Sequence, residues 1–194
     1  MTRPGSPPRS TVLRTGRLRL APVGPGHVDD LWRATQESLS ELRPWLYWAR
    51  SNDLGERMAF VQASMAAWEA GTDWVFALLL EGDAVGTIGL HEFDRTLEQA
   101  ELGYWLRTDL GGRGLMTEAA RAVVGFGFGD LSLHRIELHV APGNVASLKV
   151  AERVGFRREG LLRDGSRGAD GWHDAYVYGL LAGDARSGAG TAGR

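Results

Sequence analysis

The sequence predicts an α+β domain with a central mixed, mostly antiparallel sheet flanked by helices. Three observations carry this expectation. Two short apolar runs, Asp73 to Leu80 and Ala84 to His91, flank the loop Glu81-Gly82-Asp83, as the arms of a hairpin do. Ahead of them, Leu54, Met58, Val61, Met65 and Trp68 fall on one helical face between a capping aspartate and a glycine. Behind them, strand-like and helix-like stretches alternate, which builds a β-α-β-α-β half.

In chain order, Arg17-Leu18-Arg19-Leu20 alternates with period two and predicts the first strand. From His27 to about Ser38, helical spacing appears at Val28, Leu31 and Trp32. The stretch Glu41 to Trp48 is broken by Pro44 and dense in aromatics, so it reads as a loop-rich connection. Asp53 predicts an N-cap, with Glu56 three positions on as a capping-box variant, and Gly71 suits the residue that closes the helix. After the hairpin, Ala100 to Arg107 predicts a third strand. Glycines 111, 112 and 114 open a helix from about Thr117 to Phe128. Arg135 to Val140 predicts a strand, and Asn144 to Val154 a helix closed by Gly155. Phe156 to Leu162 and Asp174 to Leu181 predict a closing pair of strands.

A length of 194 residues suits one domain, expected over residues 11–181, with polar tails at 1–10 and 182–194 expected to be disordered. Hydrophobic residues at 43% and charged residues at 24% are those of a globular protein. The absence of cysteine removes disulfides, thiolate metal ligands and a cysteine nucleophile, and no metal is expected. A net charge of −2 argues against a nucleic-acid partner. No apolar run approaches the roughly 20 residues needed to span a bilayer, and residues 1–10 lack the apolar stretch of a secretory signal. A cytoplasmic protein, monomer or homodimer, is the expectation.

The segment Leu106 to Ala119 carries the strongest local signal: a strand ends, a glycine-rich turn follows and a helix begins. Unpaired N–H groups and the positive end of the helix dipole converge there, which suits a phosphate. A P-loop would need Lys followed by Ser or Thr, and a dinucleotide fingerprint would want a small residue where Thr117 stands. On the motif alone, phosphate cradle and plain turn glycines both remain open. A second strand-to-helix junction, Ala141 to Phe156, offers Asn144 as N-cap and Ser147 in the first turn.

Together these stretches resemble the GNAT N-acetyltransferase superfamily, in particular its RimJ/RimL branch of ribosomal-protein N-terminal acetyltransferases. The similar segments are Glu101 to Leu106 (ELGYWL), Gly112 to Ala119 (GRGLMTEA) and Asn144 to Phe156, where Asn, Ser, Glu and Gly-Phe recur at the branch's spacing. Glu159 to Leu161, His173 to Tyr176 and Leu42 to Trp48 fit the same branch. The chain departs from the superfamily pattern at Gly111, where Gln or Arg is usual, and at Met116, where a small residue is usual.

The resemblance implies a GNAT-type fold and acetyl-coenzyme A as co-substrate. Leu106 would pair with the pantetheine arm, and Gly112, Arg113, Gly114, Leu115, Met116 and Thr117 would hold the pyrophosphate. Asn144 would also meet the pantetheine, Ser147 would lie near the sulfur, and Lys149 and Arg153 could reach phosphate or adenine. A primary amine must lose a proton before it attacks, and the departing thiolate is better protonated. Ser147 is the acid by resemblance, and Glu101, at the start of its strand, is a candidate base. Tyr104 is expected to pack in the sheet. For the acceptor, Trp45, Trp48 and His91 are candidate cleft residues, with Tyr47 and Trp172 beside them and Arg43 or Glu41 as possible charged contacts. With no cysteine, transfer is expected to be direct, to a protein or peptide N-terminal α-amine. A small amine such as an antibiotic or polyamine, or a non-catalytic coenzyme A-binding module, are the alternatives.

Overall fold

The computed structural model describes residues 7–184. Its elements are β1 (Leu13–Arg14), β2 (Arg19–Pro22), α1 (Val28–Leu42), α2 (Leu54–Ala70), β3 (Trp74–Leu80), β4 (Asp83–Asp94), β5 (Gln99–Leu106), α3 (Leu115–Gly129), β6 (Arg135–Val140), α4 (Val145–Val154), β7 (Arg157–Arg167) and β8 (Trp172–Leu181). The strands form one sheet in the order β1-β2-β3-β4-β5-β6-β8-β7. This is the expected α+β arrangement.

Several boundaries differ from expectation for local reasons. Thr15 and Leu18 bond to each other, with Thr15 N–H donating to the Leu18 carbonyl at 2.9 Å, so Gly16 and Arg17 form the bend between them and the strand starts at Arg19. Helix α1 runs on to Leu42, taking in Glu41, and stops two residues before Pro44. The hairpin loop has two residues rather than three: Leu80 pairs with Asp83, and Glu81 and Gly82 both take positive φ, at 56° and 111°. That is the turn whose twist matches the flanking strands. Helix α3 begins two residues early, at Leu115. Strand β6 and helix α4 fall where the sequence places them, and Gly155 closes α4 at φ 107°.

Asp53 caps α2 as expected, its Oδ1 accepting from Glu56 N–H at 3.0 Å, and Gly71 closes it at φ 68°. The Glu56 carboxylate, however, accepts from Ser51 Oγ at 2.6 Å instead of completing a capping box. The inward face of α2 is also rotated from the expected one. Arg57, Val61, Ser64 and Trp68 are buried, while Leu54 and Met58 are 42% and 47% exposed. Residues 7–10, assigned to the tail, include two anchors: the Pro7 carbonyl accepts from Trp68 Nε1 at 2.7 Å, and Arg9 Nη2 donates to the Val23 carbonyl at 2.6 Å. Residues 1–6 and 185–194 of the two expected tails lie outside the described residues.

Alternation along the strands sends side chains to two cores. Ala100, Leu102, Ile136, Leu138 and Val140 join α3 and α4 residues such as Leu115, Val123, Phe126 and Ala151 in one cluster. Val75, Ala77, Leu79 and Trp105 join Leu31, Ala34 and Val61 of α1 and α2 in the other.

Strands β5 and β6 make the sheet's parallel pair, and only over three registers: Gln99 with Arg135, Ala100 with Ile136 and Glu101 with Glu137. Beyond that point each follows its other neighbour. β5 stays on β4 as far as the Gly86–Leu106 pair, and β6 stays on β8 as far as Val140–Tyr176. A V-shaped gap opens between them. Gly86 fixes one arm of that gap, because a Cβ there would run into the Trp105 carbonyl oxygen and come within 2.9 Å of Leu106 Cα. Gly86→Ala is therefore expected to lower unfolding free energy by about 1–3 kcal/mol, read by denaturant titration.

Candidate functional site

The helices that start at the mouth of the gap set its chemistry. Gly112 and Gly114 have φ of 74° and 79°, values that glycine adopts without penalty. Their turn delivers the chain into α3, whose first internal bond runs from Glu118 N–H to the Gly114 carbonyl at 3.1 Å. The N–H groups of the preceding turn have no helical partner, and no side chain caps them. Leu115, Met116 and Thr117 are buried, so they offer backbone donors rather than side chains. Arg17 braces the turn from outside: its Nη2 donates to the Arg113 carbonyl at 2.8 Å and its Nε to Glu118 at 2.8 Å. This arrangement fits a pyrophosphate held by N–H groups and the helix dipole.

At the mouth of the gap α4 begins with Asn144, whose Oδ1 accepts from Ser147 N–H at 3.1 Å. That cap occupies the side-chain oxygen and leaves the amide NH₂ for another acceptor. Ser147 Oγ lies 2.8 Å from the Tyr104 hydroxyl, which reaches it from β5. The Tyr104 ring packs on the α3 and α4 core, as expected of a sheet residue, but its hydroxyl completes a hydroxyl pair that local sequence does not reveal. Burial pushes the Tyr104 phenol up to about 12, and the Ser147 hydrogen bond offsets part of that rise. The pair therefore holds its protons at neutral pH.

The opposite face of the same strands is acidic and imidazole-rich. Glu101, Gly103 and Trp105 alternate with Leu102 and Tyr104, and so face α1 and α2. Glu101 sits beside Glu137 in register, and its Oε2 is 3.5 Å from His139 Nδ1. Burial raises the Glu101 pKa; His139 opposes that rise, while Glu92 and Glu137 add to it. His91 Nδ1 lies 3.2 Å from Asp73 Oδ1. Its ring passes close over two glycines: a Cβ at Gly89 would come 3.0 Å from Nε2, and one at Gly103 would come 3.1 Å from Cδ2. A cleft of about 350 Å³ opens on this face, with Trp48, Arg57, Thr87, His91, Gly103 and Trp105 among its walls.

Of the expected acceptor residues, Trp48 and His91 line this cleft. Trp45 does not: its ring faces His173 at 6.2 Å and stands against Gly143, next to the α4 cap. Trp172 is 60% exposed and stacks under Arg167 instead. Arg43 is engaged with the β7–β8 turn, pairing with Asp170 at 3.7 Å, and Glu41 accepts from Ser40. Leu106 ends β5 at the gap, and Lys149 is exposed on α4. The sequence reading missed the Tyr104 hydroxyl, His139 and Arg57. Glu137 and His139, two apart on a strand, share a face with Glu101 because the register of β5 on β6 sets Glu101 opposite Glu137. No helix among the described residues is long and apolar enough to cross a membrane.

Comparison with known proteins finds acetyltransferase relatives and a shared fold. The YdaF protein of Bacillus subtilis (strain 168) is 39% identical over 104 residues, which is 54% of this chain and 57% of YdaF. The match to YjcK of the same organism is 37% over 116 residues and spans 64% of that protein, so the chain covers less than two thirds of either relative. The ribosomal-protein-serine acetyltransferase of Escherichia coli (strain K12) is 25% identical over 169 residues, 87% of this chain and 94% of that one. Among solved structures, Mycobacterium smegmatis RimJ in complex with CoA-disulfide superposes with a TM-score of 0.83 at 26% identity, covering 97% of this chain and 98% of that one. The sequence profile described as Acetyltransferase (GNAT) domain matches residues 17–157, a span that holds both helix N-termini at the gap. The chain belongs to the GNAT acetyltransferase family.

Proposed function

We propose that the protein transfers the acetyl group of acetyl-coenzyme A directly to a primary amine, with a protein or peptide N-terminal α-amine of ribosomal-protein type as the acceptor. The observation that carries this reading is the division of proton-handling groups between the two faces of the β5–β6 gap. Glu101 stands on one face, and Tyr104 with Ser147 on the other. The E. coli ribosomal-protein-serine acetyltransferase, similar along most of the chain, supports the acceptor class.

Acetyl-coenzyme A, when bound, supplies the acetyl group and leaves as a thiol, so the site must take a proton from the amine and give one to sulfur. The N–H groups of residues 112–117 hold its pyrophosphate, the Asn144 amide and the free edge of β5 near Leu106 hold the pantetheine, and exposed Lys149 serves the adenine end. Glu101 accepts the amine's proton, directly or through a water. Its raised pKa brings its basicity closer to that of the amine, which favours proton transfer. His139 keeps the carboxylate available by opposing the rise. Ser147 donates its proton to the departing sulfur as Tyr104 passes its own to Ser147, and the phenolate left on Tyr104 takes a proton back from solvent as the products leave. Trp48 and His91 wall the acceptor's approach.

The direct test is incubation with acetyl-coenzyme A and a panel of N-terminal peptides and polyamines, read by mass spectrometry. Acetylation at a peptide α-amine is expected. Polyamine-only turnover would move the acceptor class, and tight acetyl-coenzyme A binding with no turnover would reduce the chain to a binding module. In the cradle, Gly114→Val forces a β-branched residue into positive φ and should weaken acetyl-coenzyme A binding at least several-fold in calorimetry. Ser147→Ala and Tyr104→Phe should each lower kcat by about 10²-fold while affinity for acetyl-coenzyme A holds, and the double variant should lose little more than either alone, because both act on one proton.

The pH dependence follows from Glu101. A base must be ionised, so kcat/KM should fall as pH drops through its raised pKa, above the usual carboxylate range. Glu101→Gln should abolish that acidic limb together with most of the activity. His139→Ala removes the one neighbour that lowers the Glu101 pKa, so it should move the limb to higher pH. A limb unmoved in His139→Ala would detach Glu101 from the rate.

A further inference from the structure

The acceptor cleft contains a charge that the transfer chemistry leaves unused. Arg57 stands on the inward face of α2 and is only 8% exposed. Its guanidinium carbon lies 5.0 Å from the Trp48 ring, 5.6 Å from Phe60 and 5.8 Å from Trp105. Nη2 donates to Thr35 Oγ1 at 2.9 Å, and Nε is buried with no hydrogen-bond partner. Among the described residues no carboxylate forms an ion pair with Arg57. The neighbouring Glu56 carboxylate accepts from Ser51 and acts on Arg57 only through space, opposing part of the effect of burial.

A guanidinium stays charged at neutral pH even where burial lowers its pKa, as it does here. Aromatic faces and one neutral hydroxyl offset only part of the cost of burying it. Buried charges in folded proteins are paired, so this one calls for an anion arriving from the cleft that Arg57 helps to line. Asn52, on the same cleft wall, adds a second unmet group. Its Nδ2 donates to the Trp32 carbonyl at 3.1 Å and to Gln36 Oε1 at 2.8 Å, but its Oδ1 is buried without a donor. That oxygen is closed to the cleft, so the guanidinium is the group that a ligand there can meet.

We propose that Arg57 selects acceptors that carry a carboxylate near the acetylated amine. The proposal rests on the acetyl-transfer reading and names its substrate class. The carboxylate could belong to an acidic side chain at the second or third residue of a peptide, or be the α-carboxylate of a free amino acid. Guanidinium and carboxylate match in planar, two-pronged geometry, which lysine cannot reproduce.

The test compares near-isosteric acceptors on the wild-type protein. Tripeptide amides beginning with Ser and carrying Asp or Asn at the second or third position are assayed with acetyl-coenzyme A, alongside free serine and serinamide. The acid member of at least one pair is expected to have a kcat/KM about tenfold higher or more, mainly through KM. A preference confined to the Asp/Asn pairs assigns a side chain, and one confined to serine over serinamide assigns the α-carboxylate. Arg57→Met should bring the ratio to about one, and Arg57→Lys should restore it only in part. Binding of the N-acetylated products in the presence of coenzyme A, measured by calorimetry, needs no turnover and no variant. Acid and amide products that bind equally well would overturn the proposal whatever the activity. A clear acid preference in binding without any turnover would keep the carboxylate subsite and sink the acetyl-transfer reading instead.

Discussion

Everything in the candidate site depends on the parting of β5 from β6 after three paired residues. Strand pairing normally satisfies the backbone on both edges of an interior strand. Here β5 is held by β4 up to Leu106 and β6 by β8 up to Val140, so the two inner edges diverge and keep their polar groups free. Helices α3 and α4 each follow the strand that borders the gap, so their unsatisfied N-termini open at its mouth. An opening lined by free backbone donors and two helix dipoles is a natural cradle for an extended, phosphate-bearing ligand.

The gap also separates two kinds of proton chemistry. Because side chains alternate along a strand, neighbours on β5 face opposite ways, and Glu101 and Tyr104 never meet. Burial acts on both in the same direction, favouring the protonated form, but with opposite consequences. For Tyr104 it preserves a donor next to Ser147. For Glu101 it makes a stronger base that needs help to stay ionised, and His139 provides it across the short parallel ladder. Arg57 extends this pattern to the acceptor cleft, where the charge is fixed, Glu56 acts on it only through space, and the proposed partner is a carboxylate of the acceptor.

The local signals were strong where one short stretch decides the outcome. Asp53 and Gly71 frame α2, Asn144 and Gly155 frame α4, and the glycines at 112 and 114 mark the turn into α3, because caps and left-handed residues are set by the atoms of a few neighbours. Face and partner were harder to read. The apolar residues of α2 suggested Leu54 and Met58 as inward, whereas the helix turns Arg57 to the core, since Trp48 and Trp105 offer aromatic faces that accept a guanidinium. Trp45 and Trp48, three apart in sequence, separate in space: one stands by Gly143 and the other walls the cleft.

The sequence by itself determined the α+β class, the glycine turn into α3, the Asn144 cap of α4, and through its motifs the resemblance to the GNAT family, because each of these is written in contiguous residues. Only the tertiary structure decided that Tyr104 meets Ser147 across 43 positions, that His139 stands beside Glu101, and that Arg57 is buried with a hydroxyl rather than a carboxylate as its hydrogen-bond partner. Those facts depend on the parallel register of β5 with β6 and on the rotation of α2 over the sheet. Both are settled by packing among distant segments, and no local pattern encodes them.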